Sequence, residues 1–157
     1  SFGLEMHPGD MIYNPELLLI LRREAGDHVS CNFDPSHLFW QGIDPIVAIK
    51  RVSELIVHVH AKDSKVDSSV VEYRGVNDPK HYGDIANRAW TFRTVGYGHS
   101  SEFWNDFVSA LRLVGYDGVI SIEHEDPLMS ADEGLKKAIE FLGSVLLFEK
   151  PGEMWWA

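Results

Sequence analysis

The 157-residue sequence is poor in positive charge, in cysteine and in long apolar runs. Its 14 Lys and Arg stand against 24 Asp and Glu, which gives a formal net charge of −10. Phosphate backbones and anionic membrane surfaces attract clustered positive charge, so this balance argues against a nucleic-acid or membrane partner. No stretch approaches the roughly 18 uninterrupted apolar residues that a membrane span needs. The one cysteine, Cys31, excludes an internal disulfide framework and suits a reducing compartment, so we expect a cytoplasmic protein.

Hydrophobic residues make up 45% of the chain, which is enough for one sizeable core, and we expect a single domain over residues 1–157. Short β-prone segments alternate with segments of helical spacing. Strands are predicted at about 2–5, 29–34, 55–60 and 118–123, and helices at about 15–25, 45–54, 101–114 and 130–147. This alternation implies a parallel α/β sheet.

Two architectures fit this order of strands and helices: a doubly wound sheet and half of a (β/α)₈ barrel. A whole barrel typically needs about 250 residues, so the chain can hold about half of one. After the third strand comes a polar stretch of about 61–99 with several glycines, which we interpret as a loop insertion. A loop of this length within a compact chain is usually either functional or disordered.

Each predicted strand ends on a residue that can bind a metal ion: Glu5, Asp34, His60 and Glu123. The carboxyl ends of parallel strands meet at one edge of a sheet, where α/β proteins bind ligands and carry out catalysis. Three carboxylates and one imidazole form a hard, oxygen-rich donor set that favours Mn²⁺ or Mg²⁺, tolerates Co²⁺ and leaves Zn²⁺ open. The alternative is that the four are separate surface or helix-capping residues.

Further histidines lie close to these positions in the sequence. His37 is within reach of anything bound at Asp34, and His7 could face either the same mouth of the sheet or solvent. His58 shares a strand face with His60, because side chains alternate with a period of two. We expect His60, at the strand end, to be a ligand and His58 to be a hydrogen-bonded core residue.

Other catalytic motifs are scarce. Cys31 lies mid-strand and is predicted to be a core residue, and no glycine-rich phosphate loop followed by Lys and Ser or Thr occurs. Glu125 and Asp126, which follow the fourth strand, could form only a solvated turn. The aromatic residues of the third helix and of the stretch before it are expected in the core or in a lid over a pocket; they are Trp90, Phe92, Phe103 and Trp104.

Five segments together resemble the sugar phosphate isomerase/epimerase family, the xylose-isomerase-like TIM barrels. They are Glu5-Met-His-Pro-Gly9, Asn32-Phe-Asp-Pro-Ser-His37, His58-Val-His-Ala-Lys-Asp63, Phe92-Arg-Thr-Val-Gly-Tyr-Gly98 and Gly115-Tyr-Asp-Gly-Val-Ile-Ser-Ile-Glu-His-Glu-Asp126. The resemblance covers nearly the whole chain, but only strands five to eight of the family's barrel. It implies the second half of a (β/α)₈ barrel, with about four βα units.

This resemblance also implies a set of site residues. A divalent metal, Mn²⁺ first and Mg²⁺, Co²⁺ or Zn²⁺ as alternatives, would bind to Glu5, Asp34, His60 and Glu123. The two glutamates would double as acid and base, and His37 would contact a carbohydrate substrate. Further candidates for substrate contacts are His7, Lys62, Asp63 and Arg93, with the choice between Lys62 and Arg93 left open.

The chemistry expected of such a site is proton transfer next to a carbonyl. The metal chelates the carbonyl and the neighbouring hydroxyl, and the glutamates remove and return the proton through an enediolate. Return of the proton to the same carbon gives an epimerase, and return to the neighbouring carbon gives an isomerase. The substrate would be a sugar, a sugar phosphate or a keto-sugar. A leaving group next to the carbanion would give a lyase of keto-glycosides or a dehydratase of inososes instead. Related apurinic endonucleases need an Asp-x-His that Trp90 and Phe92 replace here, which argues against DNA cleavage.

A half barrel leaves two open sheet edges and one uncovered face. The chain could therefore pair with a missing N-terminal half or with a second copy of itself. The non-enzymatic alternative is a truncated or remnant half barrel that acts only as a binding or assembly module.

Overall fold

A parallel four-stranded sheet forms the centre of the computed structural model, which describes residues 1–156. In chain order the elements are β1 (Phe2–Glu5), α1 (Pro15–Ala25), β2 (Val29–Phe33), α2 (Ser36–Phe39), α3 (Pro45–Val52), β3 (Ile56–Ala61), β4 (Asp63–Val66), α4 (Ser68–Arg74), β5 (Trp90–Arg93), α5 (Ser101–Leu113), β6 (Ile120–Ile122) and α6 (Ala131–Val145). Short 3₁₀ turns cover Ser53–Leu55 and Ile85–Asn87. The strand order β1-β2-β3-β6 leaves β1 and β6 at the two edges.

Local sequence signals explain where three of the long helices begin. The side chain of Asn14 accepts a hydrogen bond from the amide of Leu17 (2.9 Å), and Pro15 opens α1. Asp44 accepts from the amide of Ile46 (2.8 Å) at the start of α3, and Ser130 caps α6 in the same way. Such caps satisfy the free amides of the first helical turn, so the predicted starts of these helices are confirmed.

The four long helices pack on one face of the sheet. A single hydrophobic cluster joins Phe33 and Val59 of the sheet to side chains of α1, α3, α5 and α6, among them Leu18, Ile49, Phe107 and Leu142. A doubly wound sheet would carry helices on both faces, whereas a barrel carries them on the outside only. The arrangement is therefore that of a partial (β/α)₈ barrel. Cys31 is fully buried in this core, as predicted, and burial raises the pKa of its thiol to about 12.

The opposite face of the sheet, which we call the polar face, carries the side chains of Glu5, Asn32, His58, His60 and Ser121. A bulge in the pairing of β2 with β3 sets this division, because Cys31 lies opposite Ile56 while Asn32 lies opposite His58. Val57 is the extra residue, and its side chain is 47% exposed. Since each residue along a strand alternates in direction, the bulge brings His58 and His60 onto the same face as Asn32.

The segment 61–99 is not a plain loop, which corrects the interpretation from sequence. Strand β4 pairs antiparallel with β5, and α4 lies between them. A second, smaller core contains Val70, Ala89, Trp90 and Phe92. The strands are only four residues long and polar on one side, so their alternation is too brief to stand out in the sequence. The aromatic residues Trp90, Phe92 and Trp104 are buried, as expected.

Within residues 1–156, no helix combines the length and the apolar character that crossing a membrane requires.

Candidate metal centre

Four side chains converge at the carboxyl end of the four-stranded sheet. One ligand atom from each of Glu5, Asp34, His60 and Glu123 can be chosen so that all four lie within 4.8 Å of one another. Glu5 ends β1, Asp34 follows β2, His60 lies near the end of β3 and Glu123 follows β6. Parallel pairing brings these strand ends to the same edge, so residues far apart in sequence form one cluster.

Among residues 1–156, two buried atoms of this cluster find no hydrogen-bond partner. They are Oδ2 of Asp34 and Nδ1 of His60. Nδ1 lies 2.8 Å from Oε2 of Glu123, without hydrogen-bond alignment, and 3.9 Å from Oδ2 of Asp34. Unsatisfied buried polar atoms cost free energy, and a cation among these oxygens and this nitrogen would satisfy them. The donor set therefore fits a divalent metal ion.

His37 holds Glu5 in its ionised form. Its Nε2 lies 3.0 Å from Oε1 of Glu5 and 3.4 Å from Oδ2 of Asp34. The hydrogen bond from His37 lowers the pKa of Glu5 to about 2, against the opposing effect of burial, and the charges of His37, His60 and Lys62 add to the lowering. A carboxylate must be deprotonated to bind a metal, so Glu5 is ready to do so throughout the neutral range.

The cluster favours a proton on His60 when no cation is present. Asp34 makes the largest contribution to raising the pKa of the imidazole, burial opposes it, and the charges of Glu123 and Glu5 add to the rise. The same group of carboxylates that would hold a cation therefore attracts a proton to this site.

Lys62 is buried beside the cluster, with its side chain 2% exposed. Its Nζ lies 2.9 Å from Oε1 of Glu123 and 2.5 Å from Oε2 of Glu125, and 4.2 Å from the centre of the Phe92 ring. Burial alone would lower the pKa of Lys62, but the hydrogen bonds to Glu125 and Glu123 outweigh it and raise the pKa. Lys62 thus stays charged and fixes one oxygen of Glu123.

The turn after β6 is more ordered than the sequence suggested. Asp126, expected in a solvated turn, is buried and accepts hydrogen bonds from Nε of Arg93 (3.0 Å) and the amide of Thr94 (2.8 Å). Glu125 is half exposed but pairs with Lys62. Arg93 is therefore directed at Asp126, and Lys62 at the metal cluster.

Asp63 has a different position from the one expected of a substrate contact. Its side chain is 0% exposed, and it accepts hydrogen bonds from the amides of Gly96, Gly98 and His99 (2.9–3.1 Å). Gly98 approaches so closely that a Cβ there would lie 2.4 Å from Oδ1 of Asp63. The carboxylate therefore holds the turn before α5 and has no surface left for a substrate.

A groove of about 450 Å³ adjoins the cluster. It is lined by His7, Tyr82, Phe92 and Glu125. The side chain of His7 is 51% exposed, and its ring meets the ring of His37 edge to face at 4.5 Å. The rings of Tyr82 and Phe92 are stacked at 6.1 Å, with planes only 10° apart. The structure thus brings His7, His37 and Lys62 to one side of the cluster.

Sequence reasoning did not single out Asn32 and Tyr82. The amide of Asn32 contacts Nε2 of His60 (3.3 Å), and strand alternation, which puts Asn32 and Asp34 on one face, is a signal that could have found it. Tyr82 lies in the irregular segment before β5, where no periodicity identifies its partners. His58 contacts Oγ of Ser121 (2.9 Å), so it is hydrogen-bonded as predicted, but it lies half-buried on the polar face and not in the hydrophobic core.

Comparison with curated proteins shows relatives that are longer than this chain. The chain is 40% identical over 142 residues to the uncharacterized protein YfiH of Bacillus subtilis, an alignment that covers 90% of the chain and 45% of YfiH. It is 28% identical over 122 residues to an inosose dehydratase of Lacticaseibacillus casei, covering 76% of the chain and 39% of that protein. The chain therefore spans less than half the length of these relatives.

Solved structures with a similar fold are likewise longer than this chain. The probable 3-DHS dehydratase AsbF of Bacillus anthracis superposes with a TM-score of 0.64 at 22% identity, covering 90% of this chain and 48% of that one. A D-tagatose 3-epimerase-like protein superposes with a TM-score of 0.55 at 24% identity, covering 91% and 47%. Residues 1–145 match the family described as xylose isomerase-like TIM barrel, and the chain belongs to that family.

Proposed function

We propose that the chain supplies the metal-binding half of a divalent-metal-dependent sugar isomerase or epimerase. The observation that carries this proposal is the convergence of Glu5, Asp34, His60 and Glu123 within 4.8 Å at the carboxyl end of the sheet. Their oxygen-rich chemistry favours Mn²⁺, with Mg²⁺, Co²⁺ and Zn²⁺ as alternatives. A bound divalent cation would polarise a substrate carbonyl and acidify the neighbouring C–H group.

The two glutamates would transfer the proton. They project from β1 and β6, the two edge strands, and so reach the cluster from opposite ends. His37 contacts one oxygen of Glu5, and Lys62 contacts one oxygen of Glu123, which leaves one oxygen of each carboxylate for ligand or proton. General acid and base groups must be held within hydrogen-bond reach of the reacting carbon's proton, and these two contacts hold them in place.

The substrate would lie in the groove beside the cluster. Tyr82 and Phe92 offer flat apolar faces to the C–H groups of a sugar, while His7 and Glu125 offer hydrogen bonds to its hydroxyls. His37 contacts Glu5 on one side and the ring of His7, which lines the groove, on the other. Its side chain is 3% exposed, so it would act on a substrate through these two neighbours.

A dehydratase is the second candidate, and the similarity to an inosose dehydratase favours it. Removal of the same C–H proton would then be followed by loss of a neighbouring hydroxyl rather than by return of the proton. The hydroxyl needs a proton as it leaves, and the second glutamate would supply it.

Metal analysis tests the shared part of both candidates. Elemental analysis of the monodisperse 157-residue chain after Mn²⁺ loading should find about one ion per chain. Asp34→Ala should lose it, and Asp27→Ala, which removes a fully exposed carboxylate paired only with Arg22, should keep it. A folded, monodisperse chain without bound metal would support the binding-module alternative instead.

Proton exchange in D₂O then tests the chemistry. In a complete barrel that contains this half, a ketose or inosose substrate should take up deuterium next to its carbonyl, and Glu123→Gln should abolish the uptake while leaving the fold intact. An epimerised or isomerised product identifies the first candidate, and an unsaturated product formed with loss of water identifies the second. Normal turnover in Glu123→Gln would overturn the acid/base assignment.

A further inference from the structure

Asn32 contacts the side of His60 that faces away from the metal cluster. Nδ2 of Asn32 lies 3.3 Å from Nε2 of His60, while Nδ1 of the same ring faces the carboxylates. With the amide nitrogen as donor, Nε2 accepts, and a neutral imidazole then carries its proton on Nδ1. That tautomer puts the N–H group on the carboxylate side of the ring, where Nδ1 has no aligned hydrogen-bond partner among residues 1–156, and it leaves no lone pair there for a cation.

Metal binding at Nδ1 requires the other tautomer. The proton must then reside on Nε2, which becomes a donor and needs an acceptor on the far side of the ring. The carboxamide oxygen of Asn32 is buried and has no hydrogen-bond partner within the part of the chain that the structure describes. A half turn of the amide plane exchanges its oxygen and nitrogen with little change of shape, and it places Oδ1 where it can accept from Nε2.

We propose that Asn32 is a positioning residue that selects the metal-binding tautomer of His60. Its amide donates to Nε2 of the neutral, metal-free ring and accepts from Nε2 when that nitrogen carries the proton, as it does once Nδ1 binds a cation. An amide can do both, whereas an apolar side chain can do neither and a carboxylate can only accept. The inference rests on the proposed metal site and adds to it a residue outside the ligand set.

Two substitutions of similar volume separate this role from simple packing. Asn32→Leu removes both hydrogen-bonding functions, and we expect it to weaken Mn²⁺ binding by roughly 10- to 100-fold, as loss of a partner behind a ligand typically does. Asn32→Asp keeps an acceptor for Nε2, and we expect it to bind Mn²⁺ at least as tightly as the original chain. A packing role predicts the reverse order, because a buried carboxylate would disturb the polar face more than leucine does.

The experiment is isothermal titration of MnCl₂ into the 157-residue chain and its variants, each checked for folding by circular dichroism. Ser121→Ala, which removes the partner of His58 on the same face, is the matched control and should leave the affinity unchanged. Equal affinities of the original chain and Asn32→Leu, or a loss in Asn32→Asp as large as in Asn32→Leu, would overturn the role of Asn32 alone. Failure of the original chain to bind Mn²⁺ would overturn the metal site itself.

Nitrogen NMR of ¹⁵N-labelled histidine gives a second readout. With diamagnetic Zn²⁺ bound, His60 should carry its proton on Nε2. A Zn²⁺-loaded chain in which the proton stays on Nδ1 would show that the ring binds through its other nitrogen, and would overturn the proposal.

Discussion

Two buried aspartates near the ends of neighbouring strands differ in how their charge is neutralised. Asp63 accepts hydrogen bonds from backbone amides and from the side chains of His99 and Trp104, so both of its oxygens are satisfied by the chain. Asp34 accepts from the amide of Ser36 on Oδ1 and leaves Oδ2 without a partner. Asp63 therefore has a purely structural role. Asp34 is held in place with one oxygen still available to a ligand.

The largest expected effect is the loss of the structural carboxylate. Asp63→Ala would leave the amides of the turn before α5 and the indole N–H of Trp104 without an acceptor inside the protein. We expect it to lower the free energy of unfolding by about 3–5 kcal/mol, measured by urea denaturation of the metal-free chain. The exposed Asp27→Ala should change it by less than about 0.5 kcal/mol. If Asp63→Ala changed the free energy of unfolding as little as Asp27→Ala does, Asp63 would not have the structural role described here.

Asp34, the candidate ligand carboxylate, should contribute little to folding stability and much to metal binding. Asp34→Asn keeps an acceptor for Ser36 and removes a charge that no hydrogen bond satisfies on Oδ2, so metal-free stability should change by less than about 1 kcal/mol. Mn²⁺ should raise the melting temperature of the original chain, because it binds only the folded state, and should fail to do so in Asp34→Asn. Thermal unfolding with and without MnCl₂ measures both. An undiminished Mn²⁺ effect in Asp34→Asn would remove Asp34 from the ligand set.

A smaller effect concerns pH. The raised pKa of His60, due first to Asp34 and then to the charges of Glu123 and Glu5, means that a proton competes with a cation. In the metal-free chain this proton adds stability that is complete below the ordinary pKa of histidine and is lost as the pH rises through the raised value. Mn²⁺ must displace the proton, so its affinity should fall as the pH drops below that value.

Mn²⁺ titrations across this pH range measure the competition. His58→Gln should keep the same profile, because His58 contacts Ser121 rather than the carboxylates. An affinity that stays level while the pH crosses the titration of His60 would show that this imidazole is not a ligand.

Much of the fold and the grouping of the four candidate ligands followed from the sequence, because both depend on local periodicity. Four β-prone segments alternating with capped helices imply parallel strands, and parallel strands bring their last residues to one edge. That reasoning needs no knowledge of side-chain contacts, which is why Glu5, Asp34, His60 and Glu123 could be grouped in advance.

The structure differs from the sequence-based expectations where the direction of a side chain or a long-range strand pairing decides the outcome. Lys62 and Asp63 are adjacent in sequence, yet one side chain reaches Glu123 and the other reaches the turn before α5. Strands β4 and β5 pair residues that lie up to about 30 positions apart in the sequence, as Asp63 and Arg93 do. A local sequence pattern does not predict such a long-range pairing. Asp126 is buried where Arg93 at the end of β5 and Thr94 just after it donate hydrogen bonds to its carboxylate.

The bulge opposite Asn32 has a consequence for how this protein can change over evolutionary time. Val57 is the extra residue of β3, so a strand without it would pair regularly, with Ile56 opposite Cys31, His58 opposite Asn32 and Val59 opposite Phe33. His58 and His60 would then stay on the polar face and Val59 in the core. Loss of the Val57 codon would therefore preserve the position of the imidazole, whereas an extra codon between His58 and His60 would turn one of the two histidines towards the helices. In this lineage the candidate metal site therefore depends on the length of β3 after the bulge as much as on the identity of its residues.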